Sequence, residues 1–320
     1  LDMPSTGSVT FNSAEAIEIL LGAQNDTFYV PATSVIPGGT SAAAVTLSTG
    51  GGEDTVYVGT IAGQESAGSL NGFLANLLVV GEGPEAGDLL FLNDQSNTTS
   101  RTWTVSNDTT TDEFDTTTVA ISGTTATLQY RRIETVVVNA GQVADTINLH
   151  GTHREQDISG GHSSTFAINS GPGNDTVNVG QPVTGGFSLD NFAIDAAGPI
   201  AGSTRGIPVL INGQAGTDTI HYLDSAATTA TNLVFAQNEF RDLFPDESNP
   251  HIASPESVEL FTTIFGEDPE SQPFTTAALV RNTMSVPVNL NARTAEHLLV
   301  TLGSGADVVQ LDSGSYDHNI

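Results

Sequence analysis

The chain has 320 residues, with 37 acidic side chains against 8 arginines, no lysine and no cysteine, and a formal net charge of −29 at neutral pH. That balance excludes a nucleic-acid partner, because no basic patch is present to displace the counterions of a phosphate backbone. The absence of cysteine excludes disulfide staples, and no apolar run is long enough for a membrane span.

Taken in chain order, the first signature is Glu15, then Gly22 seven residues on, then Asp26 four residues later. The apolar stretches on either side, Ile17-Glu18-Ile19-Leu20 and Thr27-Phe28-Tyr29-Val30, predict two short strands joined by a Gly-containing turn. The turn and second strand recur without the Glu at Gly52-Glu53-Asp54-Thr55-Val56 and, more loosely, at Gly87-Asp88-Leu89. Residues 108–118 are Thr-rich and acidic and read as a solvated loop. The full signature returns at Glu134, Gly141 and Asp145, and its partial form at Gly173-Asn174-Asp175-Thr176-Val177 and Gly216-Thr217-Asp218-Thr219-Ile220. Between these, residues 150–165 form a Gly/Ser-rich loop with His150, His153 and His162. Residues 238–275 carry five prolines and the phenylalanines 240, 244, 261, 265 and 274, which suits either a local covering core or a lateral contact surface. A third full signature stands at Glu296, Gly303 and Asp307.

Alternation such as Thr55-Val56-Tyr57-Val58 puts valines on one face of a strand, and no long stretch keeps a helical period, so the expected class is all-β. Asp spacings of 28 (26 to 54), 34 (54 to 88) and 30 (145 to 175) suit one coil each of a β-solenoid of the parallel β-helix kind. A longer period of about 120 residues divides the chain into units at 1–119 and 120–250, with an irregular third unit at 251–320. That unit length also fits an alternative architecture of tandem β-sandwich domains.

The turns Gly173-Asn174-Asp175-Thr176-Val177 and Gly52-Glu53-Asp54-Thr55-Val56 resemble the Gly-x-Asp-x-hydrophobic core of RTX (haemolysin-type) calcium repeats. With Tyr130-Arg131-Arg132-Ile133-Glu134-Thr135-Val136 ahead of the turn, the fuller pattern is similar to β-strand repeats of very large bacterial secreted or cell-surface proteins. The resemblance implies an extracellular structural or adhesive role, often with calcium. The chain departs from it in spacing, since RTX nonapeptides follow one another directly.

Stacked turns would align Asp26, Asp54 and Asp88 in one column and Asp145, Asp175 and Asp218 in another, with Asp307 in the third unit. Carboxylates at strand spacing repel, so these seven residues are candidate Ca²⁺ ligands; the alternative is that each accepts hydrogen bonds from its own turn. No nucleophile elbow, phosphate loop or His-Glu-x-x-His stands in the chain, so no catalytic residue is assigned and a non-enzymatic role is expected. The expected function is an extracellular or cell-surface structural or adhesive segment that self-associates end to end or laterally into filaments or sheaths. The alternative is a carbohydrate-binding or carbohydrate-cleaving β-helix, with a glycan or cell surface as partner.

Overall fold

The computed structural model of the chain describes residues 15–34, 44–81, 87–108, 116–152, 165–189, 192, 209–228 and, with interruptions between 239 and 283, residues 230–312. It is an all-β fold of two ten-stranded sheets packed about one core. The chain alternates between them. Strands β1 (Ala16–Leu20), β3 (Ala44–Ser48) and β5 (Leu77–Val80) lie side by side in sheet one, and β2 (Thr27–Val30), β4 (Thr55–Val58) and β6 (Leu89–Asn93) in sheet two. Neighbours within each sheet are parallel and in register.

The alternation is interrupted once by an antiparallel meander in sheet one, β7 (Thr102–Asp108), β8 (Thr116–Ile121) and β9 (Thr127–Arg131). Three strands in one sheet is an odd number, so the two sheets exchange roles afterwards. The strands ahead of the Asp turns, β10 (Thr135–Asn139), β12 (Thr165–Asn169) and β16 (Val209–Asn212), now lie in sheet two. Those that follow the turns, β11 (Thr146–Leu149), β13 (Thr176–Val179) and β17 (Thr219–Leu223), lie in sheet one. Two small hairpins stand apart, β14 (Gln181–Val183) with β15 (Gly186–Ser188), and β19 (Pro245–Asp246) with β20 (Asn249–Ala253). A second meander, β18 (Thr231–Asn238), β21 (Phe274–Arg281) and β22 (Met284–Arg293), sits in sheet two and restores the original phase for β23 (His297–Thr301) in sheet one and β24 (Val308–Asp312) in sheet two. Both meanders end in a residue with left-handed backbone, Arg132 (φ 56°) and Thr294 (φ 54°), two residues before Glu134 and Glu296.

Parallel register stacks like on like, and this builds the core. Val58, Leu92, Val138, Ile168 and Ile211 form one unbroken column, each fully buried. Across from it, Val105, Leu149, Val179 and Tyr222 do the same in sheet one. Burial of each such side chain contributes roughly 1.5–3 kcal/mol. Polar residues stack too: at the ends of their strands Asn139 Nδ2 donates to Asn93 Oδ1 (2.7 Å), Asn169 to Asn139 (2.7 Å) and Asn212 to Asn169 (3.3 Å).

The stretch read as a solvated Thr-rich loop is partly strand, because Thr116, Thr117 and Thr118 open β8, with Thr117 wholly buried; residues 109–115 lie outside the described residues. In the Pro/Phe-rich stretch, Phe240, Phe244, Phe261 and Phe265 also lie outside them, and Phe274 enters as the first residue of β21. Ile264 is described and buried, and its carbonyl accepts from Asn169 Nδ2 at 3.0 Å.

Turn glycines are required where turns stack. Gly50 (φ 87°) and Gly171 (φ 89°) occupy equivalent places in the two units, and a Cβ on either would stand 2.0 Å from the carbonyl oxygen of Gly22 or Gly141 in the turn beside it. Gly63 also has positive φ (79°), but a Cβ there meets nothing within 4 Å. Gly171→Ala is therefore expected to lose about 2 kcal/mol more than Gly63→Ala, which carries only the left-handed backbone cost. Urea midpoints of the two variants measure the difference.

Candidate functional site

Each sequence-predicted Asp sits immediately before its strand at the turn between the sheets, and in-register pairing brings the turns together in two columns. Asp26 N donates to Asp54 Oδ1 (2.7 Å), Asp54 N to Asp88 Oδ1 (3.0 Å), and Asp88 N to Glu134 Oε2 (2.9 Å). In the second column Arg101 N donates to Asp145 Oδ1 (2.7 Å), Asp145 N to Asp175 Oδ1 (2.7 Å), Asp175 N to Asp218 Oδ1 (2.8 Å), and Asp218 N to Glu296 Oε2 (2.6 Å). Asp307 Oδ1 accepts from Thr231 N (2.9 Å). The second carboxylate oxygen serves its own turn in Asp26 and Asp145, accepting from Gly22 N (3.0 Å) and Gly141 N (2.9 Å).

Glu134 and Glu296 each close the column of the preceding unit, a role that connects residues 46 and 78 positions apart. Their register explains it: Thr135 pairs with Leu89 and His297 with Thr219, which sets each Glu beside the last Asp of the column.

Asp54, Asp88, Glu134, Asp145, Asp175 and Asp218 are all buried, whereas Asp26 and Asp307 are half-buried and Glu296 is exposed. Burial pushes the Glu134 carboxyl up to about 8, the neighbouring Asp88 charge adding to it, and backbone N–H donation offsets only part. Burial likewise raises Asp88 and Asp175 to about 6 and moves Asp54, Asp145 and Asp218 upward. Asp218 Oδ2 is buried without a hydrogen-bond partner. Calcium needs six to eight oxygens converging on one point. In the columns one oxygen of each acceptor is committed to a backbone N–H, and among the described residues no group of three or more His, Cys, Asp or Glu is placed to hold a metal ion. His150 is half-buried with its imidazole pushed down by burial, and His153 and His162 lie outside the described residues.

A second feature lies on the outer face of sheet two. Tyr29, Tyr57 and Phe91 occupy successive positions of one column, with ring centroids 5.1 and 4.9 Å apart and planes within 12°. The column continues as Val137, Ala167 and Leu210, which face away from the core cluster but are nonetheless buried. Where the aromatic part ends, a groove of about 460 Å³ opens, with Tyr57 and Phe91 on one side and the amides of Gln95, Asn139, Gln142 and Gln214 along it. It exists because the first meander exchanges the roles of the sheets, so that a long loop of unit one, carrying Glu65 and Ser66, meets the tight turns of unit two at Gly141 and Gly171. Glu65 accepts from Tyr29 Oη (2.8 Å) and Gly63 N (2.8 Å), the latter holding its carboxyl below the usual range. Gln95 Oε1 is buried with no partner. The groove was not singled out from the sequence, although an aromatic three residues after each of Asp26, Asp54 and Asp88 was its visible signal.

The buried columns set a pH dependence. A carboxyl raised on folding contributes stability that is complete below its unfolded value and is lost as pH rises through the folded one. For Asp88 and Asp175 the window runs from the ordinary Asp value to about 6, and for Glu134 from the ordinary Glu value to about 8. The melting temperature is expected to fall between about pH 4 and pH 8. Glu134→Gln keeps an acceptor for Asp88 N and should flatten the upper part of that fall, whereas Glu134→Ala should destabilise at every pH; thermal melts across the range check both.

Comparison of the chain with protein-family models, curated proteins and solved structures finds no match in any of the three.

Proposed function

We propose that the two sheets wind as a β-solenoid whose rigid lateral groove binds a neutral carbohydrate chain without cleaving it, as an adhesive segment of an extracellular protein. The observation that carries this reading is the groove: two aromatic side chains beside a row of neutral amides and one buried, unpartnered amide oxygen, Gln95 Oε1. Sugars present hydroxyls that both donate and accept beside apolar C–H faces, and amides with aromatics match that mixture. A net charge of −29 disfavours polyanionic glycans and leaves neutral ones as the class the surface admits.

Binding is favoured over cleavage because glycoside hydrolysis uses a pair of carboxyl groups on either side of the scissile bond. Among the described residues lining the groove Glu65 is the one carboxylate, and the hydrogen bonds it accepts from Tyr29 and Gly63 hold its carboxyl below the usual range, unlike a general acid. Trp103, the sole tryptophan, is fully buried in the core and takes no part in ligand contact.

Affinity electrophoresis in gels containing soluble neutral β-glucan, with polygalacturonate as the anionic comparison, tests the reading. Retardation is expected in the neutral polymer alone, with Tyr57→Ala and Gln142→Ala each lowering affinity about tenfold or more. Equal mobility of the chain and both variants in a panel of neutral glycans would contradict it. So would release of reducing ends.

A further inference from the structure

The lining of the groove repeats with the strands. Asn93, Asn139 and Asn169 are register partners on β6, β10 and β12, and all three line it. A Gln follows two or three residues later at the turns after β6 and β10, Gln95 and Gln142, and again after β16 as Gln214; after β12 the place is taken by Pro172. The aromatic side repeats in the same direction, Tyr57 on β4 and Phe91 on β6, with ring centroids 4.9 Å apart. The groove therefore runs across the strands, along the direction in which they stack, and offers a similar set of polar groups at nearly every step.

Its floor is also pinned. Each ladder Asn donates Nδ2 to the Oδ1 of the strand before it, Asn93 Nδ2 ends the ladder on the carbonyl of Glu65 (3.3 Å), and the Ile264 carbonyl takes the second N–H of Asn169. Carbonyls only accept, so these two contacts fix which way the amides face. A buried amide row held in this way is pre-organised, and little ordering is left for the moment of binding. From β4, which carries Tyr57, to β16, which leads into Gln214, the groove crosses four strand spacings, roughly 19 Å at about 4.8 Å each.

A site whose chemistry repeats with each strand fits a ligand whose chemistry repeats at the same interval. We infer that the groove takes an extended, ribbon-like β-linked neutral glycan lying along the stacking direction, with one sugar against each strand and about four sugars in contact. The inference rests on the carbohydrate reading above and adds to it the linkage class, the direction and the length of the bound segment. A β-linked pyranose ribbon advances about 5 Å per sugar, close to the strand spacing of about 4.8 Å, so its hydroxyls stay in step with the amides. An α-linked chain coils and leaves a straight row after a sugar or two. Gln95 Oε1, buried with no partner, is the acceptor left for a sugar hydroxyl where the aromatic and amide parts meet.

Calorimetry of the whole chain with cello-oligosaccharides and malto-oligosaccharides, each from dimer to hexamer, tests the inference. Affinity for the β-linked series should rise roughly threefold or more per sugar up to the tetramer and level off beyond it, while the α-linked series stays weak throughout. Tyr57→Ala and Gln214→Gly remove contacts at opposite ends; glycine suits the left-handed backbone of Gln214 (φ 63°), and melts matching the unaltered chain check that both variants fold. Each should weaken the tetramer, and no more than one of them the dimer, which is too short to reach both ends. Equal affinity for the two linkages, a β-linked series that levels off at the dimer, or retention by neutral polymers with no oligomer bound would overturn the inference and leave the neutral-glycan reading standing. Absence of binding to every oligomer and every neutral polymer would overturn both.

Discussion

The structure depends on a carboxylate column in which each turn donates its backbone N–H to the side chain of the next turn. This contact does two things at once. It satisfies a buried donor that the parallel ladder leaves unpaired at the turn, and it fixes neighbouring turns in register, so that Thr27 falls on Thr55, Thr146 on Thr176, and apolar side chains on apolar ones through the core. A hydrogen bond from a backbone N–H to a carboxylate contributes about 1.5–3 kcal/mol, and removing the acceptor leaves a buried N–H whose desolvation costs about 1–3 kcal/mol. The cost is electrostatic. Carboxyls stacked about 4.8 Å apart repel one another, and burial raises them, most of all Glu134, which is pushed up to about 8.

The meanders turn this regular scaffold into one with distinct surfaces. Without them the tight Asp turns would occupy one edge of the molecule and the long loops the other throughout. By exchanging the sheets after β9, the chain places the loop with Glu65 next to the turns with Gly141 and Gly171, and the groove forms at that junction. The second exchange after β22 returns the phase. The proposed ligand site therefore follows from the first of these two exchanges.

Much of the fold was legible in the residues because parallel register repeats local patterns. Alternation in Thr55–Val58 and Thr176–Val179 marks strands with valines buried and Tyr57 and Asn178 turned outward, and that is how they stand. The Asp columns were legible as columns. Their chemistry was less so, because an Asp that accepts from the adjacent turn has the same spacing as one that holds a cation. The capping role of Glu134 depends on a partner 46 residues away and on the register between β6 and β10, which no local motif encodes. The meanders were hidden for a different reason. Thr116–Thr118 has the composition of a solvated loop, and only pairing with β7 and β9 makes it a strand. Tyr29, Tyr57 and Phe91 were hidden in the same way, since they lie 28 and 34 residues apart in sequence and meet only by stacking.

The most direct test of the column is to titrate its carboxyl carbons individually by ¹³C NMR in the folded chain. Glu134 is expected to titrate near 8, and Asp88 and Asp175 near 6. Carboxyls that all titrate at ordinary values near 4 would contradict it, since groups free in solvent behave that way and groups closing a buried backbone ladder do not.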